Sequence, residues 1–294
     1  MSCNVLSLFD GLGGTRLALH KLGITPTNYF SSEIDRHAMA VSAANFADIE
    51  QIGDVCKVAE MPVPIDLMVF GSPCTDLSSL NRKKEGLKGQ HSSLFYEALR
   101  ILREVKPRFW MMENVASMSK VNRDAISAEL GVEPVLINSA LMTAQRRRRY
   151  YWCNWQVTQP EDHGIRLADI LDPEHFRTYP RYRMMDYKFK DGRTRWDQGW
   201  HNDTDHDKAG ALTTACRGDP SSMLIDRRHY LMPIVRRFTP HEVERLQGVP
   251  DDYTAAASES QRYRMLGNGF TIPVIAHLLA PIAQELKGTK ARAA

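Results

Sequence analysis

Apolar and polar positions follow two rhythms in the first half of the chain. The runs Asn4 to Phe9, Tyr29 to Ser32, Ile65 to Phe70 and Arg108 to Met112 are short, apolar and closed by Gly, Ser, Pro or acidic residues. Runs of that length between turn residues predict buried strands. Between them, Gly13 to Lys21, Asp35 to Phe46 and Ser92 to Val105 read as helices. In the last of these, Leu94, Phe95, Ala98, Leu99 and Leu102 share one face. That spacing predicts an amphipathic helix. Val135 to Ser139 and Arg149 to Trp155 predict two further strands. Strands alternating with helices predict an α/β fold: a mostly parallel, Rossmann-like sheet with helices on both faces.

The rhythm fades after Trp155. Residues 160–235 carry little periodicity and are rich in Arg, Asp, His, Gly and Tyr, which predicts a smaller, loop-rich domain. Helical order returns at Thr239-Pro240-His241-Glu242, a capping box with proline at the first helical position, and that helix should end at Gly248. A last helix begins near Pro273, with Val274, Ile275, Leu278, Leu279 and Ile282 on one broad face that would pack against the first domain. The expected division is 1–155 with 256–294 as one domain, and 156–255 as the other.

Composition changes this picture little. The 294 residues are 43% hydrophobic and 25% charged, with a net charge of +3. So mild an excess of positive charge does not by itself indicate nucleic acid. The five cysteines, at 3, 56, 74, 153 and 216, are scattered without a CxxC pair, which fits a reducing compartment better than a disulfide framework. No apolar run approaches the roughly 18 residues of a membrane span. The chain opens on a strand pattern instead of a leader, so a cytoplasmic protein is expected. The stretch His201 to Asp207 has no distinctive ligand spacing, and a solvated loop, with no metal, is expected there.

The candidate chemistry collects at strand ends, where α/β sheets place their ligands. Cys74 follows Gly71-Ser72-Pro73 at the end of the strand Ile65 to Phe70, where a thiol is a candidate nucleophile, although most free cysteines are small buried hydrophobes. Glu113 ends a neighbouring strand, and together they make one site. Phe9-Asp10-Gly11-Leu12-Gly13-Gly14 is a glycine-rich turn between the first strand and first helix. Glu33 lies roughly 20 residues on, the usual distance for a carboxylate that grips ribose hydroxyls. The dinucleotide fingerprint asks for a third glycine at position 16, which is Arg16 here; a nucleoside cofactor without a pyrophosphate fits better than NAD. Asp54 is either an acceptor for an adenine amino group or a turn cap. In the run Arg146 to Arg149, strand alternation sets 147, 149 and 151 on one face and 146, 148 and 150 on the other.

Taken in order, these motifs resemble the cytosine-C5 DNA methyltransferase family. The resemblance covers the glycine-rich turn, Glu33, Gly53-Asp54-Val55, Gly71 to Cys74, Glu113-Asn114-Val115, Gln145 to Arg149, Arg245 to Pro250, and Gly267-Asn268 with Val274. It spans nearly the whole chain outside 156–235. The string Pro73 to Ser78, with Asn81, Gly86-Leu87 and Leu94-Phe95, is most similar to the catalytic domain of the vertebrate de novo type. With no chromatin-reading domain, a stand-alone bacterial or phage enzyme is expected.

The resemblance implies the remaining roles. Cys74 attacks carbon 6 of cytosine, and Glu113 engages the N3 and amino edge. Arg149 contacts the carbonyl O2, and Arg147 braces the loop or a phosphate. S-adenosylmethionine lies across Phe9, Gly11, Gly13, Glu33, Ile34, Asp54, Val55, Gly71, Leu94 and Asn268, with Ile34 standing where many relatives carry an aromatic. The basic loop Asp76 to Ser92 closes over a flipped-out base. Residues 156–255 form a small target-recognition domain, in which Arg181, Arg183 and Lys188 interleave with Tyr182, Tyr187 and Trp196 to face double-stranded DNA. A cognate restriction endonuclease is the expected partner. The rival readings are RNA cytosine methylation by the same machinery, a non-catalytic regulatory relative, and an NAD dehydrogenase.

Overall fold

The computed structural model describes residues 3–73, 93–172, 202–203, 207–213, 223–226 and 234–288. Cys74, the loop 76–92 and the basic-aromatic stretch 177–196 lie outside the described residues.

The first part of the chain forms β1 (Asn4–Leu8), β2 (Asn28–Ser32), β3 (Ile49–Gln51), β4 (Leu67–Phe70), β5 (Phe109–Val115), β6 (Val135–Asn138) and β7 (Arg148–Cys153). They make one seven-stranded sheet in the order β3-β2-β1-β4-β5-β7-β6. β3, β2, β1, β4 and β5 run parallel. β7 runs antiparallel to β5, placing Val115 opposite Arg149 and Glu113 opposite Tyr151. The short edge strand β3 adds to the strands read from the sequence.

Both faces of the sheet are buried, as the unbroken apolar runs require. One set of alternate positions (Leu6, Leu8, Met68, Phe70, Met112, Trp152) packs with Phe95, Ala98 and Leu99 of α3 (Ser93–Val105) and Ile126 of α4 (Lys120–Leu130). The other set (Val5, Leu67, Val69, Met111, Tyr151) is equally buried. α1 (Gly14–Lys21) starts from Gly13, whose φ of 82° suits glycine alone. The Asp35 side chain caps α2 (Arg36–Asn45) through His37 N, and Ser119 caps α4 through Asn122 N.

Two compact units divide the chain: residues 1–137, 148–160 and 274–294, and residues 138–147 and 161–273. The second contains α5 (Leu167–Ile170), β8 (Asn202–Asp203), β9 (Met223–Asp226), β10 (Ile234–Arg237), α6 (Pro240–Gln247) and α7 (Glu259–Asn268). The predicted capping box is present: Thr239 Oγ1 accepts from Glu242 N and Glu242 Oε2 accepts from Thr239 N. The same carboxylate grips Arg236 through two contacts of 2.7 Å, with both side chains buried. α6 closes on Gly248 in the left-handed region, φ 69°.

α8 (Ile272–Leu279) and α9 (Ala283–Gly288) return from residue 274 onward to the first unit. Trp155 Nε1 donates to Leu278 O there at 2.9 Å. The run Glu259–Lys287 has the length and mean hydropathy of a membrane span. It is interrupted after Asn268, and Leu266, Val274, Ile275 and Leu278 are core residues.

Candidate active site

The turn after β1 is fixed by its own polar groups. Phe9 takes a left-handed φ of 55°, which is costly for a side chain with a Cβ, and Gly11 takes 58°. Glu33 holds the turn from the end of β2: Oε2 accepts from Gly11 N and Oε1 from both Ile34 N and Asp35 N, each at 2.8 Å. A Cβ built on Gly11 meets nothing within 4 Å, so the turn faces open space. Beside it Ile34 is 76% exposed, an apolar side chain left uncovered. Such a turn, with a carboxylate and an uncovered apolar side chain beside it, suits a nucleoside.

Asp54 takes the capping role left open by the sequence: Oδ1 accepts from Cys56 N at 3.0 Å and starts the short helical turn Val55–Lys57. Its neighbour Val55 is buried, and Ser32 Oγ donates to Gly53 O at 2.7 Å, tying this corner to β2. Leu94, on α3, packs half-buried against the core.

Gly71, Ser72 and Pro73 leave β4 toward position 74. Asn114 Nδ2 donates to Ser72 O and Ser72 Oγ at 3.3 and 3.2 Å, while its Oδ1 accepts from Val115 N at 2.8 Å. Asn114 is buried, so one side chain locks the end of β5 to the end of β4. Its neighbour Glu113 forms an ion pair with Arg149, Oε1 to Nε at 2.8 Å, with the two side chains 14% and 15% exposed. The antiparallel register explains the encounter, because the pair lies diagonally across β5 and β7. The structure thus places Glu113 and Arg149 together. An arginine partner, the ordinary structural explanation of a strand-end carboxylate, proves to be one of the proposed site residues.

The second unit carries Arg147 and Asn268. Arg147 is only 2% exposed. Nη1 donates to Leu212 O at 3.0 Å, and Nη2 to Gly267 O and Gly269 O at 2.9 and 3.1 Å. The guanidinium therefore binds carbonyls on both sides of exposed Asn268. Gln145 extends the lacing: Nε2 donates to Leu246 O, and Oε1 accepts from Leu212 N. Arg146 and Arg148 are exposed, as the alternation requires.

Sequence reasoning gave no role to Asp10 or Asn114. Asp10 is buried beneath the glycine-rich turn, where its Oδ1 accepts from Ser7 Oγ at 2.6 Å and Tyr29 OH at 2.9 Å. Desolvation raises the carboxyl to about 6. The signal available was the set of hydroxyls, Ser7, Tyr29 and Ser31, on alternate positions of two neighbouring strands.

The profile of C-5 cytosine-specific DNA methylases matches residues 3–163 and 219–284. The chain belongs to this family. It is a methyltransferase acting on carbon 5 of cytosine in DNA. Among relatives of this DNA methyltransferase, type II methyltransferase M1.ScrFI of Lactococcus lactis subsp. cremoris is 28% identical, over 97% of this chain and 79% of its own. Type II methyltransferase M.NlaX of Neisseria lactamica is 27% identical over 96% of each chain. Among solved structures, Entamoeba histolytica methyltransferase EhMeth shares the fold with a TM-score of 0.75 at 18% identity, over 97% of this chain and 99% of its own. An S. pombe Dnmt2 methyltransferase gives 0.71 at 18% identity, over the same shares.

Proposed function

We propose that this DNA methyltransferase works through a transient bond between Cys74 and carbon 6 of a cytosine turned out of the helix. Carbon 5 of cytosine is a poor nucleophile. Addition of a thiolate at carbon 6 makes it an enamine carbon. It then accepts the methyl group, loses its proton, and expels the thiolate to restore the ring. Glu113 holds the N3 and amino edge of the base and draws electron density from carbon 6. Arg149, at 2.8 Å from Glu113, contacts O2 while fixing that carboxyl. The Glu113–Arg149 pair is the observation that carries this reading: a carboxylate and a guanidinium, each partly open, that meet across the neighbouring strands β5 and β7. Asn114 supports it by tying Ser72, two residues before Cys74, to the same strand.

The methyl donor of this reading is S-adenosylmethionine, which supplies a methyl group on a sulfonium. Glu33 grips the ribose, and exposed Ile34 with Val55 and Phe9 covers the adenine. Gly11, Gly13 and Gly71 let the cofactor approach the backbone. The family resemblance adds Asp54, Leu94 and Asn268 to the cofactor residues. Arg147, bound to main-chain carbonyls, braces the segment that carries Asn268. Residues 156–255 read the target sequence in double-stranded DNA, where phosphate contacts give affinity and base-edge contacts give specificity. The enzyme acts in the cytoplasm, and a cognate endonuclease is its natural counterpart, since type II relatives match over nearly the whole chain.

Trapping tests the covalent step. On duplex DNA carrying 5-fluorocytosine, which cannot lose a C5 proton, wild-type protein with S-adenosylmethionine should form a complex that survives denaturing electrophoresis. Cys74→Ser should form none. A trapped complex with Cys74→Ser would exclude Cys74 as the nucleophile.

A further inference from the structure

Asp10 has no task in the reading above, yet it is the most confined acid of the glycine-rich turn. It is 4% exposed. Its Oδ1 accepts from Ser7 Oγ and Tyr29 OH, and Ser7 Oγ also lies 3.2 Å from Thr15 Oγ1. Among the described residues its buried Oδ2 has no hydrogen-bond partner within bonding distance, and neither has buried Ser31 Oγ, which bears on the carboxyl from β2. The groups that bear on it are Ser7 from β1, Thr15 from α1, Tyr29 and Ser31 from β2, and Glu33 just beyond β2. None of these five carries a positive charge. Burial pushes the Asp10 carboxyl up to about 6; the three hydroxyls of Ser7, Tyr29 and Ser31 pull it back, and the Glu33 carboxylate adds to the rise.

A carboxylate held like this destabilises the fold when ionised, because one oxygen gives up water and gains no donor. An uncharged residue would sit there at less cost. Two acids beside an open turn make a field that suits a cation. The methyl donor is a sulfonium cation, and the product left after transfer is an uncharged thioether. The charge leaves the site as the proton lost from carbon 5.

We propose that Asp10 is a specificity-determining residue for the methyl donor, its carboxylate favouring the sulfonium of S-adenosylmethionine over the neutral S-adenosylhomocysteine product. The inference rests on the reading that the turn 9–14 holds this cofactor. A nearby cation stabilises the carboxylate, so donor binding lowers the Asp10 pKa from its free value. Donor affinity then rises with pH and levels off above about 6, whereas product affinity does not follow. Both ligands carry the same amino and carboxyl groups, so their own titration cancels in the ratio of the two affinities.

The experiment is calorimetry of both ligands at pH 5.0 and 7.5, with wild type, Asp10→Asn and Tyr29→Phe. In wild type, preference for donor over product should grow roughly fivefold between the two pH values if the cation lowers the Asp10 pKa by one unit, and about tenfold if it lowers it by two or more. Asp10→Asn should show a preference that is flat with pH. Tyr29→Phe removes a hydrogen bond that favours the carboxylate, and should move the rise to higher pH. A pH-independent preference in wild type, or an unchanged rise in Asp10→Asn, overturns the proposal and leaves the cofactor reading standing. Wild type that binds neither ligand overturns both. If Asp10→Asn does not fold, the wild-type and Tyr29→Phe titrations decide by the same criterion.

Discussion

Arg149 reaches Glu113 across the antiparallel β5–β7 pair, Nε to Oε1 at 2.8 Å, with both side chains partly open. An ion pair so placed stabilises the fold by about 1 kcal/mol or less. General acid–base assistance contributes roughly 10²–10⁴-fold to a rate. Those magnitudes separate structure from chemistry. Glu113→Gln should lower single-turnover methyl transfer by two to four orders of magnitude, with a melting temperature within a few degrees of wild type. Methyl transfer to DNA and circular dichroism on the same preparation check it.

Arg147 predicts the opposite profile. Its guanidinium binds three main-chain carbonyls in a buried setting. Arg147→Ala leaves them without a donor and should destabilise the protein by roughly 2–4 kcal/mol. Arg147→Lys should recover only part, because a point-like ammonium cannot span the fork. Urea denaturation of the three proteins measures both differences.

Asp10 gives the stability a pH dependence. Its carboxyl is raised from 3.8 to about 6 on folding, chiefly by desolvation. The folded chain therefore binds the proton more tightly than the unfolded chain. That contribution is complete below about pH 4 and is lost as pH rises through about 6. Asp10→Asn lacks it. The variant's advantage in unfolding free energy should grow from near zero at about pH 4 to roughly 3 kcal/mol above pH 6.5. Denaturation midpoints of both proteins across this range check the sign.

Gly248 ends α6 with φ +69°, and a Cβ there would collide with Cδ and Cγ of the Pro273 ring. Gly248→Ala combines left-handed strain with overpacking, each costing about 1–3 kcal/mol. A drop of roughly 2–4 kcal/mol is expected in thermal unfolding. A neutral Gly248→Ala would mean that Pro273 gives way.

The sequence was most informative where local chemistry decides the structure. The apolar runs of β1, β4 and β5 are buried on both sheet faces, so composition alone marks them. Thr239, Pro240, Glu242 and Gly248 specify α6 through capping, without reference to the rest of the fold. β3 escaped notice because three residues at a sheet edge carry no periodicity. α4 and α7 also went unread: α4 buries only Ile126 and Ser127 as part of its faces, and α7 is polar over much of its length. In the site, β5 runs on to Val115 through its pairing with β7, so Glu113 lies within the strand, past the Met112 at which the apolar run ends, whereas the position of Glu33 just past β2 follows from the pattern. The Glu113–Arg149 contact does not, because it depends on β7 running antiparallel to β5. The Asp10 and Asn114 networks depend on neighbouring strands, which a single run of sequence does not show.

In the proposed reaction the methyl group reaches cytosine in DNA while the base is bonded to Cys74. The direct measurement is conversion sequencing of unmodified plasmid DNA treated with S-adenosylmethionine and purified wild-type or Cys74→Ser protein. Methylcytosine in one sequence context, formed by wild type and absent with Cys74→Ser, is the predicted result. Equal methylation by Cys74→Ser, or none by a folded wild type that binds S-adenosylmethionine, would contradict the account.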